Sequence, residues 1–442
     1  MTALNKKPSK AKVKARTHEG APAKIIDAEA QLRRAVMSCM LWEREFYESG
    51  ETIADRISLL IPSVKAEIVF EIAAEAREKM KLRHIPLLLA RVMAGLKTHS
   101  HVVAATLERV IQRPDELSEF LAIYWKDGKC PLSAQVKKGL ALAFQKFNEY
   151  SLAKYNRDGA IKLRDVLLLC HAKPKDLDQA KLWKRLIENK LETPDTWEVE
   201  LSASKDKKAS WARLLTEGKL GALALLRNLR NFAQAGVDKK TIRAAIKACD
   251  PARVLPFRFI AAARFAPEME PELEEALFKC VSGMEKMPGN TVVLVDVSGS
   301  MDAAISQKSD MQRIDAACGL AMVLREVCET CEIFSFSANV VQVPSRRGFA
   351  LRDAILKSQS HGSTDLGSAV KRANLADPDR IVVITDEQSQ TPVGGPKGRG
   401  YMINVASAKN GVGYGPWVHL DGFSEAVVSY ISAIEDFENE KQ

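Results

Sequence analysis

No apolar run in this 442-residue chain approaches the roughly 18 residues needed to cross a bilayer, and its most apolar stretches, such as IPLLLARVMAG, are interrupted by Arg or Lys. The opening MTALNKKPSKAKVKARTHEG lacks the hydrophobic centre of a secretory signal. It reads instead as a basic, disordered arm over residues 1–26, with seven Lys or Arg against the single Glu19. The expected location is therefore the cytoplasm. Cysteines number eight and are scattered; Cys328 and Cys331 form a lone CxxC, with no second pair or nearby His to complete a zinc site. Aromatic residues are 6% of the chain, too few to favour an aromatic platform for stacking bases. No strand–GxGxxG–helix unit is present, so the glycines of NGVGYGPW do not mark a nucleotide site. A strict internal period is missing as well, which excludes a regular 34-residue repeat array.

What is present is unevenly distributed. From Pro288 onward 14 basic residues face 19 acidic ones, whereas residues 1–287 hold 51 basic against 37 acidic. A front at +14 and a back at −5 hide inside an overall +9. Such asymmetry points to a polyanion, typically nucleic acid, as the partner of the front.

The two parts also differ in hydrophobic period. Over residues 27–286, segments such as AEAQLRRAVMSCMLWEREFYES, VKKGLALAFQKFNEYSLAKY and LGALALLRNLRNFAQAG repeat apolar residues every three or four positions. Short breaks at Pro86, Pro114, Pro131, Pro174 and Pro194 separate them. Helices of this length with brief turns predict stacked antiparallel pairs, a HEAT-like solenoid with its apolar stripes in the core. Residues 287–442 instead alternate short β-rich runs (TVVLVDVS, CEIFSFS, VVQVPS, RIVVITD, YMINVAS, WVHLDGF) with helical stretches such as FSEAVVSYISAIEDF. That alternation predicts a parallel sheet covered on both faces, with SGMEKMPGN as the linker between the parts. The fold class is thus multidomain, α followed by α/β.

In such sheets ligands gather beyond the carboxyl ends of the strands. TVVLVDVSGSMD places Asp296, Ser298 and Ser300 there, RIVVITDEQ adds Asp386, and SHGSTDLGSAV sets Thr364 just before a helix. Two carboxylates and three hydroxyls are hard oxygen donors, and so few of them leave places for water or a partner's carboxylate. Mg²⁺, which keeps several waters, suits that set best. The alternative is that Asp296 and Ser298 are turn and cap residues. Asp302 and Glu387 nearby read as supporting or solvated acids.

These five positions resemble the metal-ion-dependent adhesion site of von Willebrand factor A domains, residue by residue. The front resembles the TROVE module of the Ro autoantigen family, of bacterial or phage type, through KYNRDGAIKLRDVLLLCHAKPKD, LGALALLRNLRNF and ARVLPFRFIAA. VDVSGSM, GSTDLG and LDGF in the back resemble the same family. The resemblance implies a closed, monomeric ring that binds small noncoding Y-like RNA on its outer surface and single-stranded ends of misfolded RNA in its hole, in a ribonucleoprotein for RNA quality control or stability. It implies RNA contacts at Lys154 and His171, and at Arg157 by a position shifted by one. It further implies a protein partner at the metal site, such as an RNA-processing nuclease. From the residues alone, the alternative for Lys154 and Arg157 is an ordinary solvated helix face, and for His171 a satisfied core or cap histidine.

Two other classes stand beside this one. The chain could be an assembly scaffold that grips protein partners through Mg²⁺, with no RNA. It could also be a Mg²⁺-dependent phosphoryl-transfer enzyme. Against the latter, no His is placed by sequence to activate Ser298 or Ser300, and His361 is a lone loop residue, so the expectation is no enzyme.

Overall fold

The structure is a computed structural model, and it describes residues 16–17, 20–22, 27–37, 50–156, 158–193, 197–252, 254, 256–305, 311–406, 411–422, 427–428, 431–432 and 435. Arg157, most of the basic arm and most of FSEAVVSYISAIEDF lie outside them.

Among the described residues, sixteen α-helices run from Ala28–Met37 to Glu270–Val281. Polar residues start many of them. Ser133, Asn148, Asp176, Asp206 and Asp238 each accept a backbone N–H three residues on, satisfying an amide the first turn would otherwise leave bare. The Asn148 cap divides VKKGLALAFQKFNEYSLAKY, which reads as one continuous segment, into helices Ala134–Phe144 and Glu149–Tyr155. Local hydrogen bonding there wins over apolar periodicity.

Alternate helices stack, as the solenoid reading requires. Ala66–Glu78, Val103–Val110, Ala134–Phe144 and Leu163–Cys170 form one row, and His84–Ala94 with Asp115–Tyr124 part of the opposite one. Ion pairs bridge successive turns of the array: Arg109 with Glu78, Arg185 with Glu149, and Arg243 with Glu272. The most buried of these joins Arg77, 8% exposed, to Glu116, 0% exposed, at 2.7 Å. Arg77 also donates to the Val110 carbonyl, while Glu116 accepts the amides of Gln112 and Arg113. Glu116→Ala leaves a guanidinium buried without its anion and is expected to cost about 3 to 5 kcal/mol in chemical denaturation. A loss below about 1 kcal/mol would mean that water reaches Arg77.

The apolar stripes are not wholly core. Leu168 is 56% exposed and Leu177 79%, and Leu169 is exposed as well. The short helix Leu163–Cys170 has fewer buried positions than LRDVLLLC has apolar residues.

The remainder forms a six-stranded sheet. Its strands are β1 (Met287–Asp296), β2 (Cys328–Phe336), β3 (Val340–Gln342), β4 (Arg380–Thr385), β5 (Arg399–Asn404) and β6 (Val418–Asp421). Their order is β3-β2-β1-β4-β5-β6, parallel except for β3. β1 begins four residues before TVVLVD: Met287 already pairs with Cys328 and, after a register shift, Asn290 with Thr330, so the end of the expected linker is strand. Cys328 and Cys331 both lie buried in β2.

From β1 the chain crosses to β2 on one side and later to β4 on the other. The carboxyl ends of β1 and β4 therefore flank the point where the winding reverses, where a crevice opens in doubly wound sheets. Helix Arg313–Val327 is buried nearly throughout. It packs against the sheet and also continues the row of Ala222–Gln234 and Phe257–Phe265. At the other end of the array, Ala28–Met37 contacts β6. Both ends of the helical array thus rest on the α/β domain.

Candidate functional site

Asp296 ends β1 and Asp386 follows β4 directly; both are 0% exposed. Ser298 and Thr364 are buried too, and the Ser298 and Ser300 hydroxyls lie 3.3 Å apart. Backbone bonds sew the three contributing loops together. Gly299 N–H donates to the Gly362 carbonyl at 2.9 Å, and Gln390 N–H donates to the Thr364 carbonyl at 2.9 Å. All five residues singled out from the sequence therefore belong to one rim.

Asp296 accepts the Ser298 N–H at 2.9 Å on Oδ1 and the Thr385 hydroxyl at 2.6 Å on Oδ2. The turn role is therefore real, and it leaves each oxygen a further lone pair. Burial, and then the Asp386 carboxylate, push Asp296 up to about 7, far above an ordinary aspartate. The cation facing this pair is the buried guanidinium of Arg313, whose Nη1 is 3.6 Å from Asp386 Oδ2. Among the described residues no three His, Cys, Asp or Glu side chains gather into a metal cluster; the rim offers two carboxylates and three hydroxyls.

Two contributors escaped the sequence reading. Thr385 is the last residue of an apolar strand and looks like core. Arg313 opens a helix seventeen residues downstream of Asp296, with nothing local to mark it.

Glu387 is neither solvated nor a rim ligand. It is 0% exposed and pairs with Arg34 of the first helix at 2.9 Å. It also pairs with His419 of β6, and accepts the Gly413 N–H at 2.7 Å. The Tyr414 ring stacks on His419 at 4.2 Å. A Cβ at Gly411 would sit 2.3 Å from Glu387 Oε2 and 2.6 Å from Arg34 Nη1, so the glycines of NGVGYGPW make room for this ion pair. Burial alone would raise Glu387, but Arg34 and His419 overcome it and hold the carboxyl down at about 2. Burial would likewise lower His419, yet Asp421 and Glu387 hold it up at about 9. Asp302 bonds the His361 Nδ1 at 2.9 Å; the other ring nitrogen faces the Leu356 carbonyl at 3.3 Å, not a serine.

The nucleic-acid candidates are more dispersed. Lys154 is half-buried near the end of Glu149–Tyr155, its ammonium 5.9 Å from the Tyr155 ring. His171 is exposed and ends Leu163–Cys170 in a left-handed conformation, φ 53°, so the cap reading holds for its backbone while its ring is left to solvent. Sequence reasoning missed Lys173 and Lys175, exposed on the same loop as His171. Most neighbouring cations pair with acids, for example Lys162 with Asp158 and Arg185 with Glu149. Among the described residues Lys154, Lys173 and Lys175 have no such pair.

Two family models match the chain in succession. One, described as TROVE domain, covers residues 177–315, and one described as Ro60 vWA domain covers 290–396. Residues 177–396 thus match two domain models in succession, and the second is described by the name of Ro60. Its fold is similar to the crystal structure of Deinococcus radiodurans RO (RSR) protein, with TM-score 0.59 and 18% identity over 90% of this chain and 97% of that one. Telomerase protein component 1 of Mus musculus is 32% identical over 111 residues, and that of Rattus norvegicus 29% over 127. These stretches are 24% and 27% of this chain, which spans only 4% of the length of either relative. Among the described residues, no helix is long and apolar enough to cross a membrane.

Proposed function

We propose that the chain is a non-enzymatic, cytoplasmic RNA-binding protein of the Ro type. It would act as a monomeric ring that holds small noncoding, Y-like RNA and single-stranded ends of misfolded RNA for quality control or stability. The carrying observation is the set of cations left over by the array. Arg109, Arg185 and Arg243 pair with acids of a neighbouring turn, whereas among the described residues Lys154, Lys173 and Lys175 have no such pair and, with the exposed His171, can meet an outside anion. Phosphates are the group such side chains position. A folded RNA presents backbone and flared loops, for which dispersed cations suffice.

The test is binding of a structured RNA with a single-stranded tail across a salt series. Neutralising roughly six phosphates gives a log–log slope of about −4 for single strands. Replacing Lys154, Lys173 and Lys175 together by Ala is expected to weaken binding about tenfold and to flatten that slope by about 2. An unchanged slope would remove these lysines from the interface, and no retention of RNA at low salt would favour the protein-scaffold alternative.

At the rim, the donor set fits a divalent cation: two fully buried carboxylates and three hydroxyls are hard oxygen donors. Asp296, Ser298, Ser300, Thr364 and Asp386 would hold Mg²⁺, which would supply a Lewis-acidic point for a carboxylate or hydroxyl of a protein partner such as an RNA-processing nuclease. The engagement of both His361 nitrogens away from Ser298 and Ser300 supports a binding rather than a hydrolytic role.

A further inference from the structure

We propose that the turn between Arg16 and Pro22 docks the basic arm beside the rim, where the two together grip an acidic segment of a protein partner. One carboxylate of that segment reaches the rim and the others lie against the arm. The proposal rests on the reading of the rim as a divalent-cation site and names the chemistry of its partner.

The loop that follows β4 faces two ways. Asp386 belongs to the rim, and the next residue, Glu387, pairs with Arg34 of the first helix at 2.9 Å. The Ser389 carbonyl then accepts the Thr17 hydroxyl at 2.6 Å and the Ala21 N–H at 3.3 Å. The next N–H, that of Gln390, donates to the Thr364 carbonyl at 2.9 Å. Ser389 C=O and Gln390 N–H are opposite edges of a single peptide plane. The Thr17 hydroxyl therefore lies within about 8 Å of the Thr364 carbonyl oxygen, one peptide away from the rim.

The docked turn is anchored by burial: Thr17 is 6% exposed and Ala21 1%. Thr17 N–H donates to the Ala21 carbonyl at 2.9 Å, and Ala21 N–H also reaches the Thr17 hydroxyl at 3.0 Å. Arg16 and Pro22 close the turn as an antiparallel bridge. Arg16 donates to the Gly20 carbonyl at 2.7 Å and remains exposed, so a cation stands on a buried anchor.

Charge then selects the partner. Lys6, Lys7, Lys10, Lys12, Lys14 and Arg16 precede the first acid of the chain, Glu19. A chain spans at most about 3.5 Å per residue, so Lys14 stays within about 7 Å of Arg16 and Lys10 within about 21 Å, whatever path it takes. The mouth of the rim is acidic by contrast. Half-buried Asp302 and Asp365 stand beside Ser300 and Thr364, and the chain from Pro288 onward carries −5. An isolated carboxylate meets like charge there, whereas an acidic run meets the arm's cations as its leading carboxylate arrives. A long polyanion such as RNA would spread over the acidic domain, which disfavours it as the occupant. Gly299, Gly362 and Gln390 are exposed around the rim, so the approach is open.

The experiment uses the full chain and a fluorescein-labelled peptide of alternating Asp and Glu, read by anisotropy in Mg²⁺ and in EDTA. The wild type is expected to bind the peptide more tightly in Mg²⁺. Replacing Lys6, Lys7, Lys10, Lys12, Lys14 and Arg16 together by Gln is expected to weaken that binding about tenfold and to remove most of its salt dependence. Thr17→Val keeps every cation but cuts the tie to Ser389, and is expected to weaken binding about threefold. A thermal melt checks that both variants fold, and affinity for a structured RNA is expected to change less than about twofold in either. In the wild type, bound peptide is expected to slow tryptic cleavage after Lys14 and Arg16. Unchanged peptide affinity in either variant would overturn the proposal. So would an equal loss on the structured RNA, since the arm would then serve RNA. Wild-type protein that bound the peptide equally in Mg²⁺ and in EDTA would instead refute the rim as a divalent-cation site.

Discussion

Arg34→Met is expected to lower stability by about 3 to 5 kcal/mol, because it removes one of the two cations paired with the fully buried Glu387. Arg34 is 1% exposed, and its guanidinium reaches both Glu387 at 2.9 Å and His419 at 3.2 Å. The measurement is a denaturant titration of the single variant and of Arg34→Met with Glu387→Gln. The second change takes away the carboxylate that has lost one of its two cations, leaves His419 with Asp421 as its anion, and is expected to recover part of the loss. If the double variant is no better than the single one, the cost comes from lost packing around the Arg34 stem rather than from charge.

The same cluster gives the wild type a pH signature. His419 moves from an ordinary 6.5 to about 9 in the folded protein, so its contribution is complete below pH 6.5 and is lost as pH rises through 9. Glu387 moves from 4.5 to about 2, so its contribution is complete above pH 4.5 and is lost as pH falls towards 2. The cluster is therefore at full strength between about pH 4.5 and 6.5. His419→Gln is expected to remove the decline between pH 6.5 and 9.

The second large effect is expected at the rim, with opposite signs in two readouts. Mg²⁺ is expected to raise the melting temperature of the wild type, and Asp296→Asn to abolish that rise while leaving affinity for structured RNA within about twofold. In the absence of metal the same variant is expected to be more stable than the wild type, by about 1 to 2 kcal/mol at pH 8, since it relieves a buried carboxylate facing Asp386. The sign follows from Asp296 standing at about 7 when folded against 3.8 when unfolded: the metal-free protein loses stability as pH rises through that interval. A variant that lost stability without metal would make the carboxylate a structural hydrogen-bond acceptor for Ser298 and Thr385 and nothing more. Parallel loss of RNA binding would mean that the rim and the helical array act as one unit.

The rim was readable from the chain because strand-end chemistry is local: an apolar run, then polar residues at alternate positions, fixes where those side chains emerge. Thr364 and Asp386 could be added because their flanks carry the same strand and helix signals. The ion pair of Glu387 was not readable, for the opposite reason. Its partners Arg34 and His419 lie 353 and 32 positions away, and no local pattern separates an acid meeting a distant guanidinium from one meeting water. The helical array shows the same division. Its helices and turns follow from spacing and caps, whereas the cations available to a ligand emerged only once the ion pairs between turns were known. Leu168 and Leu177 were misplaced because periodicity identifies an apolar face without showing whether anything covers it.

The docking of both ends of the helical array has a mechanical corollary. In an open stack each terminal repeat lacks one neighbour and frays first, so melting creeps inward from the tips. Here Ala28–Met37 packs on β6 and is tied by Arg34 to Glu387 beyond β4, and the Phe257–Phe265 row runs on into Arg313–Val327, so neither tip is loose. Disassembly has to begin by undocking from the α/β domain or by rupture within the arc, and hydrogen exchange should register the first and last helices as protected rather than as the earliest to open.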